Sequence, residues 1–386
     1  MKKICIITSS RADYGILKTL MLLLKLDPCF KLNIIVTGSH LNESLGSSFN
    51  EIINDGFEIN AKIDNYFSGD SNSSTVKMMA SAMLGVGHLL EDIAPDAIVL
   101  VGDRFEIFAV ASAAYTLRIP IIHIHGGEVT SGALDDGYRH AISKLSTLHF
   151  VAHEEYKKRL IRMGEQPNLI YNVGAPGIDL LKLGSLKNKQ DLSAKIGINL
   201  DKYFLITLHP TTLDNISSDQ IFDNLFQALR NFPDFQFVVT KGNLDPTGEL
   251  LNKKFNDLIE SKYFNGRMVM VNNLSKNYFS AIKHSSLVLG NSSSGILEAP
   301  YLNTPTVNIG KRQNGRVMPE SVITIGYDTQ DIINGIETAL SETWRKSNLK
   351  LEKNWFGKPG CISENILNVL KKFEFNKNIG KVFYDK

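Results

Sequence analysis

Twice along this chain, short apolar runs ending in Gly, Ser or His alternate with longer stretches of helical period. In the first half the runs are Lys3–Ser9, Leu32–Gly38, Ala97–Gly102, Ile119–Gly126, Leu148–Ala152 and Ile170–Val173. Between them lie helical stretches such as Ile16–Leu26, Val76–Ile93, Phe105–Leu117 and Glu154–Met163. Runs that are apolar on both faces and separated by helices predict parallel strands covered on both sides. A polar, lysine-rich stretch, Lys187–Asp201, reads as a linker with a short helix. The pattern then restarts with Tyr203–His209, Phe235–Lys241, Met268–Asn272, Leu287–Gly290, Pro305–Ile309 and Val322–Ile325. The expectation is an α/β chain of two Rossmann-like, doubly wound domains facing each other across a cleft. They would span residues 1–185 and 186–373, with 374–386 a loosely held polar tail.

Composition narrows the function classes. At 386 residues the chain is long enough for two cores. With 42 basic against 40 acidic residues, its net charge of +2 gives no general field for a polyanion, so nucleic acid is not an expected partner. Cys5, Cys29 and Cys361 stand far apart without a CxxC pair, which argues against a disulfide framework or a zinc site. The N-terminal MKKICIITSSRADYG reads as a first strand and not as a signal peptide, and no run approaches the ~20 apolar residues of a membrane span. A cytoplasmic protein without membrane contact is expected.

In doubly wound sheets a ligand sits outside the carboxyl ends of the strands. After the first strand comes Ser9-Ser10-Arg11-Ala12-Asp13-Tyr14-Gly15, where Ser or Asp can cap a helix and an arginine can also reach a phosphate. Another strand ends in Gly102-Asp103-Arg104-Phe105-Glu106, and the next in His123-Ile124-His125-Gly126-Gly127-Glu128. Asp135-Asp136-Gly137-Tyr138-Arg139-His140 opens a further helix, where adjacent aspartates also complement a helix dipole. Capping alone leaves one thing unexplained: strand ends of one sheet converge, so Asp103, Glu128 and Asp135 should meet. No HExxH or comparable ligand spacing accompanies His123 and His125, so acid/base chemistry is preferred to a metal, with His123 in the core. Crowded carboxylates repel, and at least one should have a raised pKa.

The second half carries features that suit a diphosphate. His209-Pro210 ends a strand, and Gly290-Asn291-Ser292-Ser293-Ser294-Gly295-Ile296-Leu297-Glu298 reads as strand, hydroxyl-rich turn and helix start. Glu298 could accept from a ribose hydroxyl or be an ordinary first-turn acid. Lys311, Arg312 and Arg316 put three cations on one loop after a strand. There is no Walker A motif and no clean GxGxxG, which argues against an NTPase or a dehydrogenase.

Taken together, SSRADYG, VTGSHL, VGDRFE, IHGGE, DDGYRHAISKL, LHP, LGNSSSGILE and NIGKRQNGR resemble the hydrolysing UDP-N-acetylglucosamine 2-epimerases of sialic-acid and related nonulosonic-acid biosynthesis. These eight motifs run in the family's order over nearly the whole chain. The resemblance implies the GT-B arrangement, no cofactor, a nucleotide-sugar substrate and a homodimer or homotetramer. It also implies that Arg11, Arg104, His209, Asn243, Ser292, Ser293, Glu298 and Arg312 hold the nucleotide diphosphate, while Asp103, Glu128 and Asp135 carry the chemistry. His209 could instead meet the sugar and so count as catalytic, and Arg316 fits either role. His125, Asp136 and Arg139, within the same motifs, join the substrate-contacting set. The non-hydrolysing epimerases share the fold but resemble this chain less where IHGGE is followed by an Asp-Asp pair. A GT-B glycosyltransferase would need an acceptor groove and a single base.

Overall fold

The computed structural model describes residues 1–42, 47–67, 72–131, 133–184, 186–210, 216–241, 248–271, 274, 277–349, 354–376 and 380–385. The chain divides into two compact units. The first comprises Met1–Glu128, Leu134–Leu183 and Trp355–Lys386, and the second Val129–Ala133 and Gly184–Asn354.

The first unit is built on seven parallel strands: β1 Lys2–Thr8, β2 Phe30–Thr37, β3 Ala61–Ile63, β4 Ala97–Val101, β5 Ile121–Ile124, β6 Leu148–Val151 and β7 Ile170–Asn172. Their order is β3-β2-β1-β4-β5-β6-β7. The second sheet has β8 Tyr203–Thr207, β9 Gln236–Thr240, β10 Met268–Val271, β11 Leu287–Gly290, β12 Thr306–Ile309 and β13 Val322–Ile325, in the order β10-β9-β8-β11-β12-β13. Both are doubly wound, Rossmann-like sheets. In each the strand order reverses once, at β1/β4 and at β8/β11, and the strand ends beside those breaks are where such sheets bind ligands.

Burial on both faces holds the strands in place. Alternate residues of β1 enter two different cores: Ile4 and Ile6 pack with Leu17, Leu20 and Val99, whereas Cys5 and Ile7 pack with Ile98, Leu100 and Val110. The apolar runs therefore mark the strands closely, with ends shifted by a residue or two. The edge strand β3, three residues with a lysine at its centre, has no counterpart among the predicted runs. No helix among the described residues is long and apolar enough to cross a membrane.

Two domain expectations are corrected. The helix Ile362–Lys372 belongs to the first unit and not to the second. Its Ile366, Leu367 and Leu370 lie in the same core as the helix Arg11–Leu26, and each buried side chain of that kind contributes ~1.5–3 kcal/mol. The tail is also held: Lys381 pairs with Glu165 at 2.5 Å, and Tyr384 N donates to Gly164 O at 2.9 Å.

Candidate active site

The first unit's break between β1 and β4 gathers charge. Ser10 caps the helix Arg11–Leu26 by accepting from Asp13 N at 3.3 Å. The Asp13 carboxylate folds back to accept from Ser9 N at 3.2 Å and Ser9 Oγ at 2.7 Å. Burial pushes Asp13 up to about 6, although the Arg104 charge and the Ser9 hydrogen bonds oppose the shift. Arg104, at the end of β4, donates from Nε to the buried Glu106 at 2.6 Å. Arg104 and Arg11 both act on His40 at the end of β2, and burial with these two cations brings its imidazole down to about 3. His40 stays neutral, held between Thr8 Oγ1 at 2.9 Å and Ser48 Oγ at 2.8 Å.

Next along the sheet, the loop after β5 delivers Glu128. His125 takes a left-handed conformation, φ 64°, uncommon for a residue other than glycine. This bends the chain so that Glu128 returns to His125, with Nδ1 2.5 Å from Oε1 and both side chains buried. His125 Nε2 is buried and has no hydrogen-bond partner among the described residues. Arg139, from the helix Asp135–Leu145, donates from Nη1 to His125 O at 2.9 Å and pairs through Nη2 with Asp103. Burial opposes its charge, yet Asp103, Glu128, Asp136 and Asp135 outweigh that and raise its pKa above the ordinary arginine value. The predicted meeting of Asp103, Glu128 and Asp135 is therefore observed, around a buried guanidinium. Asp103 is partly accessible at 19% of its side chain, and Glu128 is not, at 2%.

This geometry corrects one expectation. The acids are not a cluster of like charges alone, because Arg139 stands among them as counter-ion, and near them burial raises Asp13 as well. Asp136 sits on the outer side of the cluster, 3.5 Å from His140. His123 is a core residue as expected, bonded to Ser143 Oγ at 3.0 Å and Gly102 O at 2.8 Å, and burial lowers its pKa to about 3.

In the second unit the β8/β11 break is organised by the buried Asn291. Its Oδ1 accepts from His209 N at 2.7 Å, its Nδ2 donates to His209 O at 2.8 Å, and its carbonyl accepts from Arg312 Nη1 at 3.1 Å and Gln313 Nε2 at 2.7 Å. Gly290, φ 133°, precedes it, and any side chain there would strike Thr207 O. Burial and then the Arg312 charge lower His209 to about 3, so it is neutral near pH 7 and cannot act there as a cationic acid. Ser292 and Ser293 are half-buried in the turn, and Ser292 Oγ lies 3.3 Å from Ser294 Oγ.

Other expectations for this half change. The helix after the turn is a single turn, Ser294–Leu297, whose dipole is too small to bind a phosphate by itself, and Glu298 closes it instead of lying inside it. Arg316 is not directed at Asn291. Its Nε donates to Val129 O at 2.8 Å and its Nη2 to Thr130 Oγ1 at 3.2 Å, within the same unit. Asn243 lies outside the described residues. Sequence reading passed over Asp13, Glu106, His40 and Asn291 as functional candidates, although all four sit within or beside the quoted motifs. Polar residues immediately after a buried strand were the available signal. Among the described residues, no group of three or more His, Cys, Asp or Glu side chains is arranged to hold a metal ion.

Comparison with known proteins places this geometry in context. Residues 23–371 match the family model described as UDP-N-acetylglucosamine 2-epimerase. The chain is 35% identical to the polysialic acid biosynthesis protein P7 of Escherichia coli, over 100% of its own length and 98% of that protein. It is 37% identical to the GDP/UDP-N,N'-diacetylbacillosamine 2-epimerase (hydrolyzing) of Campylobacter jejuni, over 83% of this chain and 84% of the other. Among solved structures, UDP-GlcNAc 2-epimerase from Neisseria meningitidis bound to UDP-GlcNAc gives a TM-score of 0.80 at 20% identity, covering 97% of this chain and 100% of that one. At that identity the likeness establishes the fold.

Proposed function

The chain belongs to the UDP-N-acetylglucosamine 2-epimerase family, and from that premise we infer that it is a cytoplasmic hydrolysing 2-epimerase. Its substrate is UDP-N-acetylglucosamine or the corresponding UDP-2,4-diacetamido-trideoxy sugar. Its products are UDP and the free sugar inverted at carbon 2, of N-acetylmannosamine type, a precursor for sialic or related nonulosonic acids of surface polysaccharides. The observation that carries this reading is the gathering of Asp103, Glu128 and Asp135 around Arg139 at one sheet end. A protein that only binds a nucleotide sugar has no need of it. The hydrolysing relatives support release of the free sugar.

The proton on carbon 2 is not acidic while the anomeric substituent stays in place, since its neighbour is an amide nitrogen. As the anomeric carbon–oxygen bond to UDP breaks, positive charge develops beside carbon 2 and the proton becomes removable. Arg11, Arg104 and Arg312, with Ser292 and Ser293, take up the charge of the departing diphosphate. Asn243 and Glu298 complete the nucleotide contacts, Glu298 toward the ribose. A carboxylate of the Asp103/Glu128 pair removes the proton and leaves a 2-acetamidoglucal. Water then adds hydroxyl to the anomeric carbon, and carbon 2 regains a proton on the opposite face. Arg139 fixes Asp103, and His125 fixes Glu128. Asp135 and Asp136 border the place where water enters. Neutral His209 serves as a hydrogen-bonding group to the sugar or the leaving diphosphate. Each acid/base contact is worth ~10²–10⁴-fold in rate.

A homodimer or homotetramer is the expected assembly, supported by the helix Asn72–Ile93, which exposes Val76, Met83 and Leu84 along one side. Light scattering of the purified protein should give two or four chain masses, and a single chain mass would refute it. Incubation with UDP-N-acetylglucosamine, its diacetamido-trideoxy analogue and the GDP-linked sugar, each without acceptor, tests the function. Free inverted sugar with nucleoside diphosphate is expected. A UDP-linked epimer would mark the non-hydrolysing reaction, and absence of turnover would favour a glycosyltransferase or a binding protein.

A further inference from the structure

The helix that presents Asp135, Asp136 and Arg139 is held at its other end by the chain's own tail. Lys381 Nζ lies 3.0, 2.7 and 2.8 Å from the carbonyl oxygens of Ser143, Lys144 and Ser146, at the C-terminal end of the helix Asp135–Leu145. A helix end leaves such carbonyls short of donors, Ser143 O being shared here with Ser146 N at 3.1 Å, and a cation there also complements the helix dipole. The same ammonium sits 2.5 Å from Glu165 Oε2, and Glu165, 1% exposed, also meets Lys144 Nζ at 2.7 Å and His149 Nε2 at 3.1 Å.

Neighbouring tail residues seat the lysine. Tyr384 N donates to Gly164 O at 2.9 Å, and the Phe383 ring lies 4.7 Å from Lys144 Nζ. Gly164, φ 84°, leaves room for that ring, into which any side chain at 164 would run. Burial lowers Lys381 to about 8 against the pull of Glu165, so the group is charged near neutrality. The hold reaches the acids by two routes. Along the helix, Arg139 lies one turn before Ser143 and pairs with Asp103. Across the sheet, Ser143 Oγ bonds His123, whose other ring nitrogen bonds Gly102 O, beside Asp103.

We propose that Lys381 is a positioning residue: by capping the helix Asp135–Leu145 and tying it to Glu165, the C-terminal tail keeps Asp135 and Arg139 where proton transfer requires them. This rests on the function proposed above. In the full-length enzyme, Lys381→Met should lower kcat about tenfold to hundredfold and leave KM within about threefold, the pattern of a misplaced group and not of lost substrate binding. Lys381→Arg, which keeps charge and donors, should restore most of kcat. Hydrogen exchange of amides 135–145 should quicken at least about tenfold in Lys381→Met. Wild-type kcat in that variant, or unchanged exchange of the helix, overturns the proposal. If Lys381→Met does not fold, Phe383→Ala, which loosens the tail but leaves Glu165 its cation, is read by the same two measurements. Should the wild-type enzyme turn over none of the nucleotide sugars, the proposed function fails and the exchange experiment alone decides the role of the tail.

Discussion

The two units repeat one plan, with a parallel sheet whose order reverses beside its first strand, yet their strand ends differ in kind. At the β1/β4 break stand Arg11, Asp13, Asp103, Arg104 and Glu106, a set of charges that answer one another. At the β8/β11 break stand His209, Asn291, Ser292 and Ser293, a set of neutral groups in which the Asn291 amide holds the His209 backbone. The plan brings strand ends together in both cases, and the residue types on the following loops decide what they do there. On the proposed function, the first set would join a carboxylate for proton transfer at carbon 2 to Arg11 and Arg104 for the diphosphate. Neutral donors with Arg312 beside them suit holding an anion that must later leave.

The contrast predicts separable losses. Asp103→Asn and Glu128→Gln keep size and polarity but remove basicity, so each should lower turnover by ~10²–10⁴-fold while calorimetry still shows UDP binding. Near-normal turnover of both variants would remove the carboxylates from the mechanism. Arg312→Ala should do the reverse, weakening UDP binding by about 1–3 kcal/mol as a charge-assisted contact is lost, with the first unit's acids intact. Wild-type affinity in that variant would make the loop plain solvated surface.

Acid separates the units more gently. His40 and His123 in the first unit, and His209 in the second, have folded-state values of about 3 against an ordinary 6.5. The unfolded chain takes up these protons first, so stability falls as pH drops from 6.5 toward 3, by ~1.4 kcal/mol per pH unit for each fully buried histidine. Asp13, raised to about 6 from 3.8, works the other way between those values, because there the folded state holds the proton. Glu165, lowered to about 2 from 4.5 despite its burial by His149, Lys144 and Lys381, gives up its contribution as pH falls from 4.5 through 2. With His40, His123, His149 (also lowered by its burial) and Glu165 against one Asp13, the first unit should open before the second. Hydrogen exchange mapped between pH 7 and 4 checks the order, and earlier opening of the second unit would contradict it.

Most of the framework was legible because the central strands, β4, β5, β8 and β11 among them, are buried on both faces and so read as unbroken apolar runs. The convergence of Asp103, Glu128 and Asp135 followed from the topology alone. The counter-ion did not: Arg139 was visible in its motif, but its burial among four carboxylates depends on where a helix is docked. Asp13 read as a cap because burial, which sets its proton affinity, leaves no local trace. The tail read as loose because polar composition cannot show that one lysine enters a niche formed by Glu165 and three carbonyls. The helix Ile362–Lys372 was assigned to the wrong unit because sequence order carries no record of a chain returning to its first core.

The central claim is that UDP leaves with cleavage of the anomeric carbon–oxygen bond while enzyme carboxylates remove and return the proton at carbon 2. Turnover in heavy water with the wild-type enzyme, read by mass spectrometry and proton NMR of the sugar, tests it most directly. The account predicts free sugar with one deuterium at carbon 2, formed in step with UDP. Product that keeps ordinary hydrogen at carbon 2 would contradict it, pointing to internal return of the proton or to a redox route.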